Sequence, residues 1–238
     1  TGRDTAMTMQ NIPVAGGSMP AYIAHPAGDG PRPALILLQE VFGVNRFMKA
    51  IADYWAGEGF ITICPELYWR LGPGIVADPE IPDDRPVAMG ARDRLDNDQC
   101  VDDIIATIAH ARTLDTCNGR VATSGYCLGG MLAYLTATRG NADANVSYYG
   151  VGIENHLGEA DRITRPLLLH IGEADPWTPE DVRDQLANQL AAPLVTQYLY
   201  ADTGHAFARP GASTDVPDLR QLANDRTKAF LAAALALD

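Results

Sequence analysis

Basic residues are scarce in this chain. Lys and Arg total 18 against 30 Asp and Glu, a net charge of −12. Nucleic acid and anionic membrane surfaces repel such a chain, so neither is an expected partner. Long apolar runs are also missing. No stretch approaches the roughly 18 residues that span a bilayer, and the opening Thr1-Gly2-Arg3-Asp4 is too polar for a signal peptide. Cysteine is sparse: Cys64, Cys100, Cys117 and Cys127 show no C-x-x-C pair and no metal-ligand spacing. No metal and no organic cofactor is expected. Internal repeats, low-complexity tracts and interdomain linkers are absent, so residues 1–238 read as one domain.

What the chain does have is an alternation of strand-like and helix-like segments, and 47% hydrophobic residues to build a core. This pattern predicts an α/β fold with a mostly parallel central sheet flanked by helices. Residues 5–12 and 18–25 read as an antiparallel edge pair turned at Gly16-Gly17. A continuous apolar strand over 34–39 follows, then a helix from Arg46 to Gly57 and a strand over Phe60–Cys64. Residues 65–90, rich in Pro and Gly, read as a long irregular excursion at the mouth of a site or as a plain surface loop. A helix is predicted from Ala91 to Leu114, and a short strand from Asn145 to Tyr149. Thr178-Pro179-Glu180-Asp181 reads as a helix start with a capping Thr. A last helix over 215–235 places Leu219, Leu222, Ala223, Phe230 and Ala234 on one face. Trp177 reads as a pocket wall or, more commonly for a Trp, as core.

Within this alternation, Gly125-Tyr126-Cys127-Leu128-Gly129-Gly130 has the Gly-x-nucleophile-x-Gly form of a nucleophile elbow. An apolar, β-branched run precedes it and a helix-forming run follows, which is the strand–turn–helix context the motif needs. The plain alternative is a small buried Cys in a Gly-rich turn. A thiol attacks chiefly as thiolate, so a base is expected near it. His205 lies on a Gly-flanked loop just after the strand-like Leu194–Tyr200. Between them, Pro166–Gly172 is an apolar strand ending near Asp175. The order nucleophile, acid, histidine is that of the α/β-hydrolase fold, and Asp175 would hold the His205 tautomer. Asp161 and Asp202 are alternative acids. His170, inside an apolar strand, reads as a core histidine, and His110 and His156 have no catalytic context.

Two further residues stand out. Glu40 falls at the C-terminal end of the buried strand Leu35–Leu38, where sites in such sheets gather. A carboxylate there is costly unless partnered, unless it is simply a solvated loop acid. Arg209 lies four residues beyond His205, and its guanidinium suits a carboxylate in an otherwise acidic chain; the alternative is a surface Arg with no role. The oxyanion formed on attack needs two donors. Leu128 N–H, just after the nucleophile, is one, and the loop after Leu35–Leu38 should supply the other.

Taken together, Gln39-Glu40-Val41-Phe42-Gly43-Val44-Asn45, Gly125–Gly130 and Gly204-His205-Ala206-Phe207-Ala208-Arg209 resemble the dienelactone hydrolases (carboxymethylenebutenolidases), in family order and from about residue 10 to the C-terminus. The resemblance implies hydrolysis of a lactone or activated ester, dienelactone-like and anionic, through a Cys127-Asp175-His205 triad and a thiol acyl-enzyme. It implies that Glu40 contacts the resting thiol and then helps to deprotonate it, that Val41 N–H is the second oxyanion donor, and that Arg209 holds the substrate carboxylate. A second family Arg maps best to Arg85, with Arg70, Arg92 and Arg94 as alternatives. The chain departs from the pattern at Ala206, where a Ser often follows the catalytic His, and across Pro65–Asp96. A carboxylesterase, thioesterase or acyltransferase on the same triad, or a non-catalytic binding protein, are the rival readings. A thiol enzyme favours the reducing cytoplasm, and a monomer is expected.

Overall fold

The computed structural model describes residues 7–237; the first two residues of the predicted 5–12 strand lie outside them. Eight strands form one sheet in the order β1-β2-β4-β3-β5-β6-β7-β8. They are β1 (Met7–Val14), β2 (Gly17–Ala24), β3 (Arg32–Leu38), β4 (Ile61–Pro65), β5 (Cys117–Tyr126), β6 (Ala144–Tyr148), β7 (Leu167–Gly172) and β8 (Val195–Tyr200). β1 pairs antiparallel with β2, and β2 antiparallel with β4. From β4 onward every pairing is parallel.

Helices cover both faces, which is why the central strands are apolar on both sides rather than alternating. Along β3, Ile36 and Leu38 join the core beneath Ile104, Ile108, Leu132 and Leu135, while Leu35 and Leu37 face Met48, Trp55, Ala223 and Leu231. The helix α1 (Arg46–Gly57) starts where the sequence places it, because the Asn45 side chain accepts hydrogen bonds from the N–H groups of Phe47 and Met48. It buries Phe47, Met48, Ile51, Ala52, Trp55 and Ala56, the spacing of a single helical face.

Several expectations need correction. The predicted helix from Ala91 to Leu114 is two helices, α2 (Arg85–Arg94) and α3 (Asn97–Thr113). Asp96 adopts an extended conformation between them, and its carboxylate accepts from the N–H groups of Asp98 and Gln99. An N-cap therefore interrupts an apolar period that runs on across it. Asp96→Ala is expected to cost about 1 kcal/mol, read as a lowered urea midpoint with an unchanged slope. The excursion after β4 is correspondingly less irregular than its composition suggests, since α2 forms within it. α5 (Glu180–Gln189) begins one residue later than the Thr178 signal implies: Pro179 occupies the cap position and no side chain caps the helix. α6 (Pro217–Leu235) buries Ala223, Asn224, Thr227, Leu231 and Leu235 and leaves Leu222 40% exposed. Of the expected face, Ala223 is buried and Leu219, Phe230 and Ala234 pack against the core; the buried Thr227 and Asn224, which bond the Tyr148 hydroxyl, are polar members that apolar periodicity does not register.

Candidate active site

Cys127 sits between β5 and α4 (Leu128–Arg139) with φ +56°, a left-handed conformation that is strained for a residue with a side chain. The strain is held in place by close backbone packing. A Cβ on Gly125 would lie 1.8 Å from the Gly129 carbonyl oxygen, and one on Gly129 would lie 2.2 Å from the Leu38 carbonyl oxygen. The amide of Cys127 donates to the Tyr148 carbonyl, and its own carbonyl accepts from Gly130 and Met131. These bonds pin the elbow over the C-terminal edges of β3, β5 and β6.

Asp175 follows β7 and His205 follows β8, so adjacent parallel strands deliver them to the same edge of the sheet. His205 Nδ1 lies 2.7 Å from Asp175 Oδ2, and Asp175 Oδ1 accepts from the Trp177 N–H at 2.8 Å. The carboxylate is thereby held on both oxygens. Burial disfavours the His205 imidazolium, but the bond to Asp175 and the neighbouring Cys127 sulfur outweigh it and raise its pKa to about 10. Because the folded-state value is raised, protonation of His205 stabilises the fold. That contribution is fully present below about pH 6.5 and is lost as pH climbs towards about 10. Thermal melts across this window should show wild type losing stability relative to His205→Gln; parallel curves would contradict the linkage.

Neither Asp161 nor Asp202 forms an ion pair or hydrogen bond with His205, whose acid partner is Asp175 and whose ring meets Tyr149 edge-on with centroids 5.1 Å apart. His170 is a core histidine: its two ring nitrogens bond Tyr200 Oη and Thr227 Oγ1, both at 2.8 Å, and burial together with nearby Arg226 lowers its pKa to about 3.

Cys127 and His205 open into a cavity of about 500 Å³, also lined by Val41, Leu128, Trp177 and Arg209. Trp177 is 48% exposed there and is not core. The amides of Val41 and Leu128 meet no acceptor within the chain among the described residues. The Val41 loop is braced from behind, since its carbonyl accepts from Tyr68 Oη at 2.9 Å and the Gln39 side chain accepts from the Leu67 N–H. The 65–96 segment supplies one wall through Pro79, Glu80, Arg85, Met89 and Arg92. Glu80 accepts from both the amide and the hydroxyl of Ser213, tying this wall to the loop after His205.

Glu40 departs from its expected contact. Its two carboxylate oxygens accept from Arg209 Nε at 2.8 Å and Nη2 at 3.0 Å, a bidentate pair rather than an approach to the thiol. Both partners are buried, Glu40 at 1% and Arg209 at 5% exposure. Arg209 therefore reaches the cavity with two of its donors already bonded to Glu40. Of the alternatives to Arg85, Arg92 also lines the cavity. Arg70 is bonded to Asp103 and the Ala15 carbonyl, and Arg94 bonds the Gly90 carbonyl.

Tyr149 is a residue the sequence reading missed. It has φ +40°, is 1% exposed, and its hydroxyl has no protein partner among the described residues. Its place just after β6, the parallel neighbour of the strand that leads into the elbow, was the available signal. Among the described residues no group of three or more His, Cys, Asp or Glu could hold a metal ion, and no helix is long and apolar enough to cross a membrane.

A nucleophile elbow after the central strand of a mostly parallel sheet, an acid after β7 and a histidine after β8 define an α/β-hydrolase. A sequence model of the dienelactone hydrolase family matches residues 19–235, and the chain belongs to that family. It is 39% identical to a putative carboxymethylenebutenolidase of Azospirillum brasilense, over 94% of this chain and 97% of the relative. It is 40% identical to a carboxymethylenebutenolidase of Pseudomonas sp. strain P51, over 91% of this chain and 90% of that one. The crystal structure of a putative dienelactone hydrolase from Klebsiella pneumoniae subsp. pneumoniae superposes with a TM-score of 0.85 at 26% identity, covering 96% of this chain and 99% of the other. The chain is thus a hydrolase of carboxylic ester or lactone bonds.

Proposed function

We propose that this hydrolase cleaves an anionic lactone or activated ester by acyl transfer to Cys127. The observation that carries the reading is a thiol on a strained elbow, facing a His205–Asp175 pair across the floor of a cavity that also presents arginine. The names of the relatives, carboxymethylenebutenolidases, agree with it.

In the proposed sequence, His205 Nε2 takes the thiol proton and the sulfur attacks the carbonyl carbon. The oxygen that gains charge accepts from the Val41 and Leu128 amides, the latter at the positive end of α4. The C–O bond to the leaving group breaks, and His205 returns the proton to that oxygen. Water then attacks the thioester, His205 accepting one of its protons, and the C–S bond breaks to release the acid and restore the thiol. Asp175, bonded to Nδ1, keeps Nε2 facing the sulfur and stabilises the imidazolium. A thiolate is itself a good leaving group, so the tetrahedral adduct goes forward only when the other leaving group departs readily. That favours enol lactones and activated esters over amides. The test is turnover of dienelactone and of simple aryl esters by wild type and Cys127→Ala. Cleavage that persists in the variant would refute acyl transfer to this thiol.

A further inference from the structure

Resting on that reading, we infer that the Tyr149 hydroxyl is a further hydrogen-bond donor to the Cys127 sulfur, engaged only once the thiol proton has moved to His205. Two costs single this residue out. A side-chain-bearing residue at φ +40° is strained, and a buried hydroxyl without a partner forgoes the hydrogen bond that water would give it. The other buried tyrosines among the described residues, Tyr22, Tyr68, Tyr126, Tyr134, Tyr148 and Tyr200, all have a partner for the hydroxyl. A phenylalanine at 149 would fill the same space without the second cost.

The backbone sets Tyr149 against the nucleophile. Cys127 N–H donates to the Tyr148 carbonyl at 3.0 Å, and the Cys127 carbonyl accepts from Val151 N–H at 3.3 Å, so residues 148–151 clasp the elbow. The Tyr149 N–H is fixed on the His170 carbonyl at 2.8 Å. Its ring meets His205 and Phe207 edge-on, with centroids 5.1 and 5.6 Å apart, and so packs against the imidazole that takes the thiol proton. The titratable groups around the hydroxyl are Glu40, Arg209, Tyr126 and Cys127. Glu40 and Arg209 already answer each other, and Tyr126 accepts from the Trp55 indole. Of the four, only Cys127 gains charge in the proposed reaction. Besides Tyr149, the sulfur is faced by His205 and Arg209 from the loop after β8, and by Tyr68 from the segment after β4, whose hydroxyl is bonded to the Val41 carbonyl.

A neutral thiol is a weak acceptor and an anion a strong one. The S–H bond breaks, its proton goes to His205 Nε2 and the electron pair stays on sulfur, which then draws the Tyr149 O–H. An interaction missing from the ground state speeds the step rather than merely tightening binding. Burial first, and then the Glu40 charge, raise the Tyr149 pKa well above the usual tyrosine value, so the hydroxyl keeps its proton throughout and lends only a hydrogen bond.

Tyr149→Phe removes the hydroxyl and keeps the ring. Its kcat/KM on p-nitrophenyl acetate should fall about 10-fold, as expected when a hydrogen bond to a charged group is lost. Alkylation of Cys127 by iodoacetamide at neutral pH should slow by a similar factor, read by mass spectrometry on the Cys127 peptide because Cys117 is also partly exposed. Thermal melts should find the variant at least as stable as wild type, since the fold loses no hydrogen bond. A tyrosine with a structural role alone gives the reverse pattern, lower stability with alkylation unchanged. Unchanged kcat/KM, unchanged alkylation or a lowered melting temperature would each overturn the inference. Should wild type release no p-nitrophenol, acyl transfer to Cys127 fails as the reaction. The donor then stands if alkylation still slows about 10-fold in the variant, and falls if it does not.

Discussion

Cys127→Ala is expected to lower kcat/KM on a lactone or aryl ester by about 10⁴-fold or more while leaving the protein folded. Such a loss corresponds to roughly 5 kcal/mol of transition-state stabilisation. Its size follows from the proposed acyl transfer: without the sulfur that route has no covalent intermediate, and His205 and Asp175 would have no nucleophile to serve. A residual rate should survive, because the Val41 and Leu128 amides still offer donors to an oxyanion. The fold should survive because the side chain, though largely buried, borders the cavity, so its truncation enlarges a space that is already open, and alanine tolerates φ +56° as well or as poorly as cysteine. The check is initial rates beside thermal melts for both proteins. A variant within ten-fold of wild type, equally stable, would show that the thiol does not carry the reaction.

How much of this was legible from the sequence differs from element to element. The continuous apolar run of β3 announced a strand buried on both faces, and the helix from Arg46 to Gly57 was read at the bounds it has. Both are local signals, read from a few adjacent side chains. The Gly125-x-Cys127-x-Gly129 spacing was legible for the same reason, since two Cβ atoms cannot fit where the backbones meet. The helix α2 was not, because it buries only Ala88 and Ala91 and so lacks an apolar stripe. Its inward side chains are charged, as a wall of an open cavity can be and a core face cannot. On α6 the apolar face was legible except at Leu222, but its polar members Thr227 and Asn224, buried by hydrogen bonds to Tyr148 and His170 from other strands, were not. The pairing of Glu40 with Arg209 joins residues 169 positions apart. Periodicity and motif spacing carry no information about a contact of that kind.

That pairing leads to the second large effect. Glu40→Ala is expected to destabilise the fold by about 3–5 kcal/mol, because it strands a buried guanidinium without its carboxylate. Arg209→Met should cost a similar amount by leaving the Glu40 charge unpaired. Removing both together should cost much less than the sum, since replacing a buried pair with apolar groups is often nearly neutral. A double-mutant cycle in urea should therefore give a coupling of at least about 3 kcal/mol, most of the summed single-variant costs. Glu40→Gln keeps the shape and one acceptor but turns an amide N–H₂ towards Arg209 Nε or Nη2, so its cost should lie between wild type and Glu40→Ala. This differs from the simplest expectation for a catalytic acid, which is lost activity in an otherwise intact protein. The two roles separate in the double variant. If stability returns while kcat stays low, the pair serves the reaction as well as the fold; if both return, it serves the fold alone. Additive single-variant costs, or a Glu40→Ala protein as stable as wild type, would mean that the bidentate contact is not holding the loop after β3 to the His205 loop.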